Sequence, residues 1–208
     1  MRNVAIYLFD DVEVLDFAGP FEVFSTASRV FGRRHPDARP PFRVFTVGAS
    51  NTPIAARGGL VVRPEFSFAD HPRIDLLLVP GGVIAAELKK PEVVSWVAAW
   101  AAAAELTASV CTGAFLLGAA GLLGGKAATT HWEDAADLRA MLPAVRVVEG
   151  VRWVDEGAVI TSGGISAGLD MSLHIVARLA GADLAGDTAR QMDYEWRGDS
   201  RAARADDA

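Results

Sequence analysis

The chain has 208 residues, of which 51% are hydrophobic and 22% charged, with a formal net charge of −6. That composition belongs to a globular protein and excludes a disordered polypeptide. The acidic balance argues against a nucleic-acid-binding surface, which needs a basic patch, and the single cysteine excludes a disulfide scaffold.

The elements alternate along the chain. "NVAIYLF" (3–9) is a short continuous apolar run, the pattern of a strand buried on both faces. Residues 16–31 carry apolar side chains at helical spacing, with Pro20 near the start where it is tolerated. "GRRHPDARPP", holding Arg33, Arg34 and His35, reads as a solvated loop. A strand is expected at 42–48, short extended pieces at 59–68, and a strand at 74–82 that ends in a glycine pair. Pro91 opens a helix over 91–105. The strand "LTASV" (106–110) runs into a helix at 112–120, and a short helix follows at 134–142. Residues 145–164 read as strands with turns at Gly150 and Glu156–Gly157. A long helix is expected at 166–181 and a last one at 183–192. The expected organisation is one domain over 1–195 and a flexible tail over 196–208. No apolar run reaches the ~20 residues of a membrane span, and no secretory leader opens the chain, so a cytoplasmic protein is expected.

This alternation predicts an α/β three-layer sandwich: a mostly parallel sheet with helices on both faces. Such sheets bind ligands beyond the carboxyl ends of their strands. Five segments fall there: 10–16, Gly81–Gly82, Cys111–Thr112, His131 and Gly163–Gly164. Cys111 ends a strand and opens a helix. A helix N-terminus lowers a thiol pKa, and a strained strand-to-helix turn exposes a nucleophile. The alternative for Cys111 is a small buried hydrophobe. The glycines of "VPGG" can turn their N–H groups inward and, with the N–H of Thr112, form an oxyanion cradle; an ordinary tight turn is the alternative. Asp16 is either a site carboxylate or an N-cap, and Glu13, Asp10 and Asp11 read as loop charges. His131 either supports the thiol from behind or caps helix 134–142. Gly163–Gly164 closes a strand and either brings backbone close to the thiol as part of the substrate-binding site or forms a plain turn, and Ser166 is a natural N-cap for the helix after it. No histidine pair has metal-ligand spacing, so neither metal nor cofactor is expected.

Four segments carry a resemblance: "LDFAGPFEVF" (15–24), "LLLVPGG" (76–82), "SVCTGAFLLGAAGLLGGKAATTHW" (109–132) and "VITSGGISAGLDMSLHIVARLAG" (159–181). Together they resemble the ThiJ/PfpI superfamily, within the class I glutamine amidotransferase-like fold. The resemblance spans about residues 3–195. It implies a flavodoxin-like sandwich, a homodimer and a cysteine on a nucleophile elbow. The Cys-Thr-Gly form looks most like two branches: the isonitrile hydratases, which add water to an isocyanide, and the sensor-like front domain of AraC-type regulators. Matched motif by motif, the hydratase residues fall on Asp16, Cys111 and Thr112. Hydratases tend to have Thr where this chain has Ala18. Peptidase- and amidotransferase-like branches place His directly after the nucleophile, where this chain has Thr112, which argues against both activities. The expected function is therefore a lyase-type hydration of a small electrophilic substrate. A redox- or ligand-sensing protein is the alternative, and a glyoxalase-type hydrolase using His131 a further one. The resemblance implies a neighbouring Cys111–Asp16 pair that shares one proton, which rests on Asp16 if the helix end favours the thiolate. No basic recognition helix is present, so direct DNA binding is not expected.

Overall fold

The apolar runs become strands because only a sheet covered on both faces can bury them. The computed structural model describes residues 1–198. Its strands are β1 (Arg2–Leu8), β2 (Phe42–Gly48), β3 (Ile54–Ala55), β4 (Val61–Val62), β5 (Phe66–Ser67), β6 (Leu76–Val79), β7 (Leu106–Val110), β8 (Ala127–Ala128), β9 (Arg146–Val147), β10 (Trp153–Asp155) and β11 (Val159–Ser162). Its helices are α1 (Val14–Arg34), α2 (Pro91–Ala103), α3 (Gly113–Ala119), α4 (Ala135–Met141), α5 (Ala167–Ala180) and α6 (Ala182–Gln191).

The central sheet has the order β10-β11-β7-β6-β1-β2-β5, and every neighbouring pair is parallel except β10–β11. The antiparallel hairpin falls at an edge. There its turn at Glu156–Gly157 disturbs no buried strand. All residues of β6 and β7 are buried. Helices α1, α5 and α6 pack together in one layer, while α2 and α3 pack together in another. This is the flavodoxin-like α/β sandwich. Chain direction switches between β1, which leads out to β2, and its other neighbour β6, so the loops after β1, β6, β7 and β11 meet at one end.

Two expectations need correction. Arg33 and Arg34 belong to the last turn of α1 rather than to a loop. The Arg33 Nη1 donates to Gln191 Oε1 at 2.9 Å, and Arg34 pairs with Asp187. The chain remains packed beyond 195: Trp196 lies against the core, and the Arg197 N–H donates to Asp170 Oδ1 at 3.1 Å. Asp170 is fully buried, and Arg152 Nε at 2.7 Å and the Tyr194 hydroxyl at 3.1 Å also donate to it. That buried carboxylate holds the segment. The rest of the expected tail, 199–208, lies outside the described residues.

Gly32 sits in the last turns of α1, and a methyl group there would meet nothing within 4 Å. Gly32→Ala is expected to stabilise the protein by about 0.5–1 kcal/mol through reduced unfolded-chain entropy. Urea unfolding midpoints of the two proteins measure it.

Candidate functional site

Cys111 follows β7 directly and carries φ +56°, a left-handed conformation unusual for a residue with a side chain. Its backbone is pinned on both sides. The Cys111 N–H is shared between Ser162 O at 3.1 Å and Gly163 O at 3.3 Å, and the Thr130 hydroxyl donates to Cys111 O at 2.9 Å. A methyl group on Gly113 would lie 2.2 Å from Val79 O, so the chain can turn here only with glycine at that position. The result is a strained elbow held by its surroundings. The sulfur residue is only 7% exposed.

Asp16 reaches the same point from the loop after β1. It is fully buried and lies in the first turn of α1, whose N-cap is Glu13, so it is not a helix cap. The Gly81 N–H donates to Asp16 Oδ2 at 3.0 Å, and Asp16 Oδ1 has no hydrogen-bond partner among the described residues. A buried carboxylate oxygen without a donor is costly and characteristic of functional sites.

The glycine pair departs from the expected cradle. The Gly81 N–H is committed to Asp16, and the Gly82 N–H donates to Thr112 Oγ1 at 2.9 Å. Thr112 returns its own hydroxyl proton to Gly82 O at 3.0 Å. Both glycine N–H groups therefore build the site instead of facing a ligand. The Thr112 hydroxyl likewise spends its one proton on Gly82, which leaves it a single lone pair for anything else. Gly163 uses its N–H on Arg152 O at 2.9 Å, while its carbonyl secures the elbow. Gly164 has no room for a side chain, because a methyl group would lie 2.0 Å from His131 Cδ2.

His131 lines the thiol cavity. It occupies the N-cap position of a 3₁₀ turn at Trp132–Asp134 without a side-chain cap bond, so the expected capping role is not found. Its Nδ1 faces Glu133 at 3.6 Å and Asp134 at 3.5 Å. Ser166 does stand at the N-cap of α5, again without a side-chain cap bond. Phe17 is a core residue, while Trp132 is 75% exposed and lines an adjoining cavity.

Five cavity residues went unrecognised in the sequence: Glu13, Arg57, Glu133, Asp134 and Ile165. Antiparallel β3–β4 carries Arg57 in its turn, and the Asp11 N–H to Ala55 O bond at 2.8 Å ties that hairpin to the loop after β1. Arg57 Nη1 then donates to Glu13 Oε2 at 3.2 Å. The cavity holds about 220 Å³, enough for a small molecule only. Among the described residues, no group of three His, Cys, Asp or Glu side chains is placed to hold a metal ion.

The electrostatics reverse the expected proton allocation. Burial pushes Asp16 up to about 7, against the Gly81 N–H that favours its charged form. Burial, and then the Asp16 charge, push the Cys111 thiol up to about 12, against the Thr112 N–H. The expected thiolate is therefore absent at rest. Helix α3 has only seven residues, and its N-terminus does not outweigh the desolvation of a buried sulfur. Both groups are pushed toward their protonated forms, the thiol more strongly, which makes Asp16 the readier base of the pair.

The chain is 36% identical over 193 residues to an isonitrile hydratase of Pseudomonas putida, covering 92% of this chain and 78% of that one. It is 27% identical to the HTH-type transcriptional regulator GbdR of Pseudomonas aeruginosa, covering 93% of this chain but only 51% of the regulator. Among solved structures, a THiJ/PfpI family protein from Pseudomonas syringae superposes with a TM-score of 0.81 at 29% identity, covering 98% of this chain and 79% of that one. The model of the DJ-1/PfpI family matches residues 2–178, which is most of the chain, and the chain belongs to that family.

Proposed function

We propose that this protein hydrates a small electrophilic substrate, an isocyanide being the best fit, through Cys111 and Asp16. The observation that carries the proposal is the fully buried Asp16, with one oxygen unpartnered and its pKa near 7, beside a thiol on a strained turn. Such a pair needs no histidine: one group titrating near neutrality moves every proton the reaction requires.

The Asp16 carboxylate takes the thiol proton as sulfur attacks the isocyanide carbon, and returns that proton to the same carbon. This forms a C–S bond and a C–H bond and leaves a covalent thioimidate. Water then attacks the carbon and loses one proton to Asp16, which passes it to the imidate nitrogen. As the carbonyl forms and the C–S bond breaks, the second water proton moves through Asp16 to sulfur, and the N-substituted formamide departs. The sum is one isocyanide plus one water. Thr112 and Gly82 clasp each other beneath the elbow, so Thr112 serves by holding the turn and offering its N–H to sulfur. On this reading the working unit is a single domain packed through Arg197, a cytoplasmic homodimer that uses no cofactor and does not contact nucleic acid directly.

Cys111→Ala and Cys111→Ser are expected to lose turnover of an alkyl isocyanide to background, followed as formamide release. Undiminished activity in the serine variant overturns the mechanism.

The regulator relatives support a second reading, a ligand-sensing domain. The chain spans about half the length of GbdR. Binding of a small electrophile without turnover, measured calorimetrically, distinguishes the two. A redox sensor fits less well, since a buried thiol raised to about 12 is slow to oxidise.

A further inference from the structure

We infer that the mouth of the thiol cavity selects small electrophiles bearing a positive charge over those bearing a negative one. This deepens the hydratase reading, and rests on it only in taking Cys111 as the group that meets an electrophile.

The charges around the cavity do not balance. Three carboxylates, Glu13, Glu133 and Asp134, line it against one guanidinium, Arg57. Arg57 is already paired with Glu13 at 3.2 Å. Glu133 and Asp134 are left with His131 between them, 3.6 and 3.5 Å from its Nδ1. Asp16 lies beneath and adds a further negative charge when ionised. The field of Asp134 reaches the sulfur, where it disfavours the thiolate. A carboxylate on an incoming molecule would meet an Arg57 whose charge is already offset by the largely buried Glu13, which weakens its pull on an anion.

The adjoining cavity carries a compatible feature. Its wall residue Trp132 is 75% exposed, and the ring lies 5.7 Å from that of His131 on the thiol cavity. An exposed indole is a surface for a cation. A narrow cavity walled by protein focuses such a field and enriches ions of the opposite sign by roughly 10-fold or more. The substrate class assigned is thus an isocyanide, or a related small electrophile, whose substituent ends in an ammonium group, with neutral members intermediate.

Cys111 is the only cysteine, so covalent labelling reports on this cavity alone. The probes are three methanethiosulfonates carrying trimethylammonium, uncharged methyl and sulfonate groups. Their rates are read by intact mass at pH 9, each divided by its rate with free 2-mercaptoethanol. The normalised cation-to-anion ratio is expected to be about 10 or more at low ionic strength. It should collapse toward one in 1 M salt, where screening acts over about 3 Å. Glu133→Gln with Asp134→Asn should lower it several-fold, and Arg57→Gln should raise it. A wild-type ratio of one or less overturns the inference. So does a ratio that ignores both salt and the acidic substitutions, or failure of all three reagents to label. Isocyanide turnover without charge preference would sink this inference and leave the hydratase reading standing. Selective labelling without turnover would do the reverse.

Discussion

Asp16→Asn is expected to make the protein more stable at pH 8 while lowering isocyanide turnover by about 10²–10⁴-fold. The stability gain follows from linkage. The carboxyl titrates near its ordinary 3.8 in the unfolded chain and at about 7 in the native one. Between those values the native state holds the proton that the unfolded state has released. Stability therefore falls as pH rises through this window and is flat above it. About three pH units correspond to a cost on the order of 4 kcal/mol. Asparagine never ionises and avoids that cost, although its amide NH₂ replaces an unpartnered oxygen and gives back about 1–3 kcal/mol. A net gain of about 1–3 kcal/mol should remain at pH 8 and turn into a loss of about 1–3 kcal/mol near pH 4, where only the amide cost is left, measured as the difference in urea midpoints at the two values. The same substitution removes the charge that holds the thiol up, so Cys111 should alkylate faster at pH 8 even as turnover is lost. A wild-type protein and variant with parallel stability–pH curves would refute a buried carboxylate titrating near 7. The prediction places the site among those where function is retained at the expense of stability.

The architecture was legible because its signals are local. The strand bounds of β2 and β7 match the apolar runs at 42–48 and 106–110, and Pro91 marks the start of α2. The elbow also announced itself, since a β-branched run meets Cys-Thr-Gly without an intervening turn residue. What stayed hidden depends on the packing of distant segments. Glycines after β6 are visible in the sequence, but the direction of their N–H groups is not; both turn back to Asp16 and Thr112. Arg57 reads as an ordinary polar residue until β3–β4 folds it over Glu13. The direction of the thiol pKa is hidden for the same reason. A helix start is visible in the sequence, whereas the burial that outweighs it is a property of the assembled core. The AraC-type resemblance names a fold relative, and the residues around sulfur decide what that fold does in this chain.

Gly81→Ala is the sharpest test of how the site is built. A methyl group at Gly81 would lie 2.6 Å from both the Thr112 backbone nitrogen and its hydroxyl, and 2.9 Å from Asp16 Oδ2. None of the three can move independently. The nitrogen belongs to the elbow, the hydroxyl is clasped to Gly82 from both directions, and Asp16 Oδ2 is held by the Gly81 N–H itself. The added carbon must therefore push the acid away from the thiol or open the turn. Overpacking of this kind costs about 1–3 kcal/mol, which in a chain of this size lowers Tm by roughly 2–12 °C. Activity should fall further than stability, by about 100-fold or more, because displacing reacting groups by 1 Å is already this costly. Gly124→Ala is the matched control: a methyl there meets nothing within 4 Å, so both Tm and turnover should stay near wild type. A Gly81→Ala protein with full turnover would mean that the Gly81–Asp16–Thr112 contact does not set the geometry of the reaction. In that case the unpartnered oxygen of Asp16 would lose its meaning as the proton carrier.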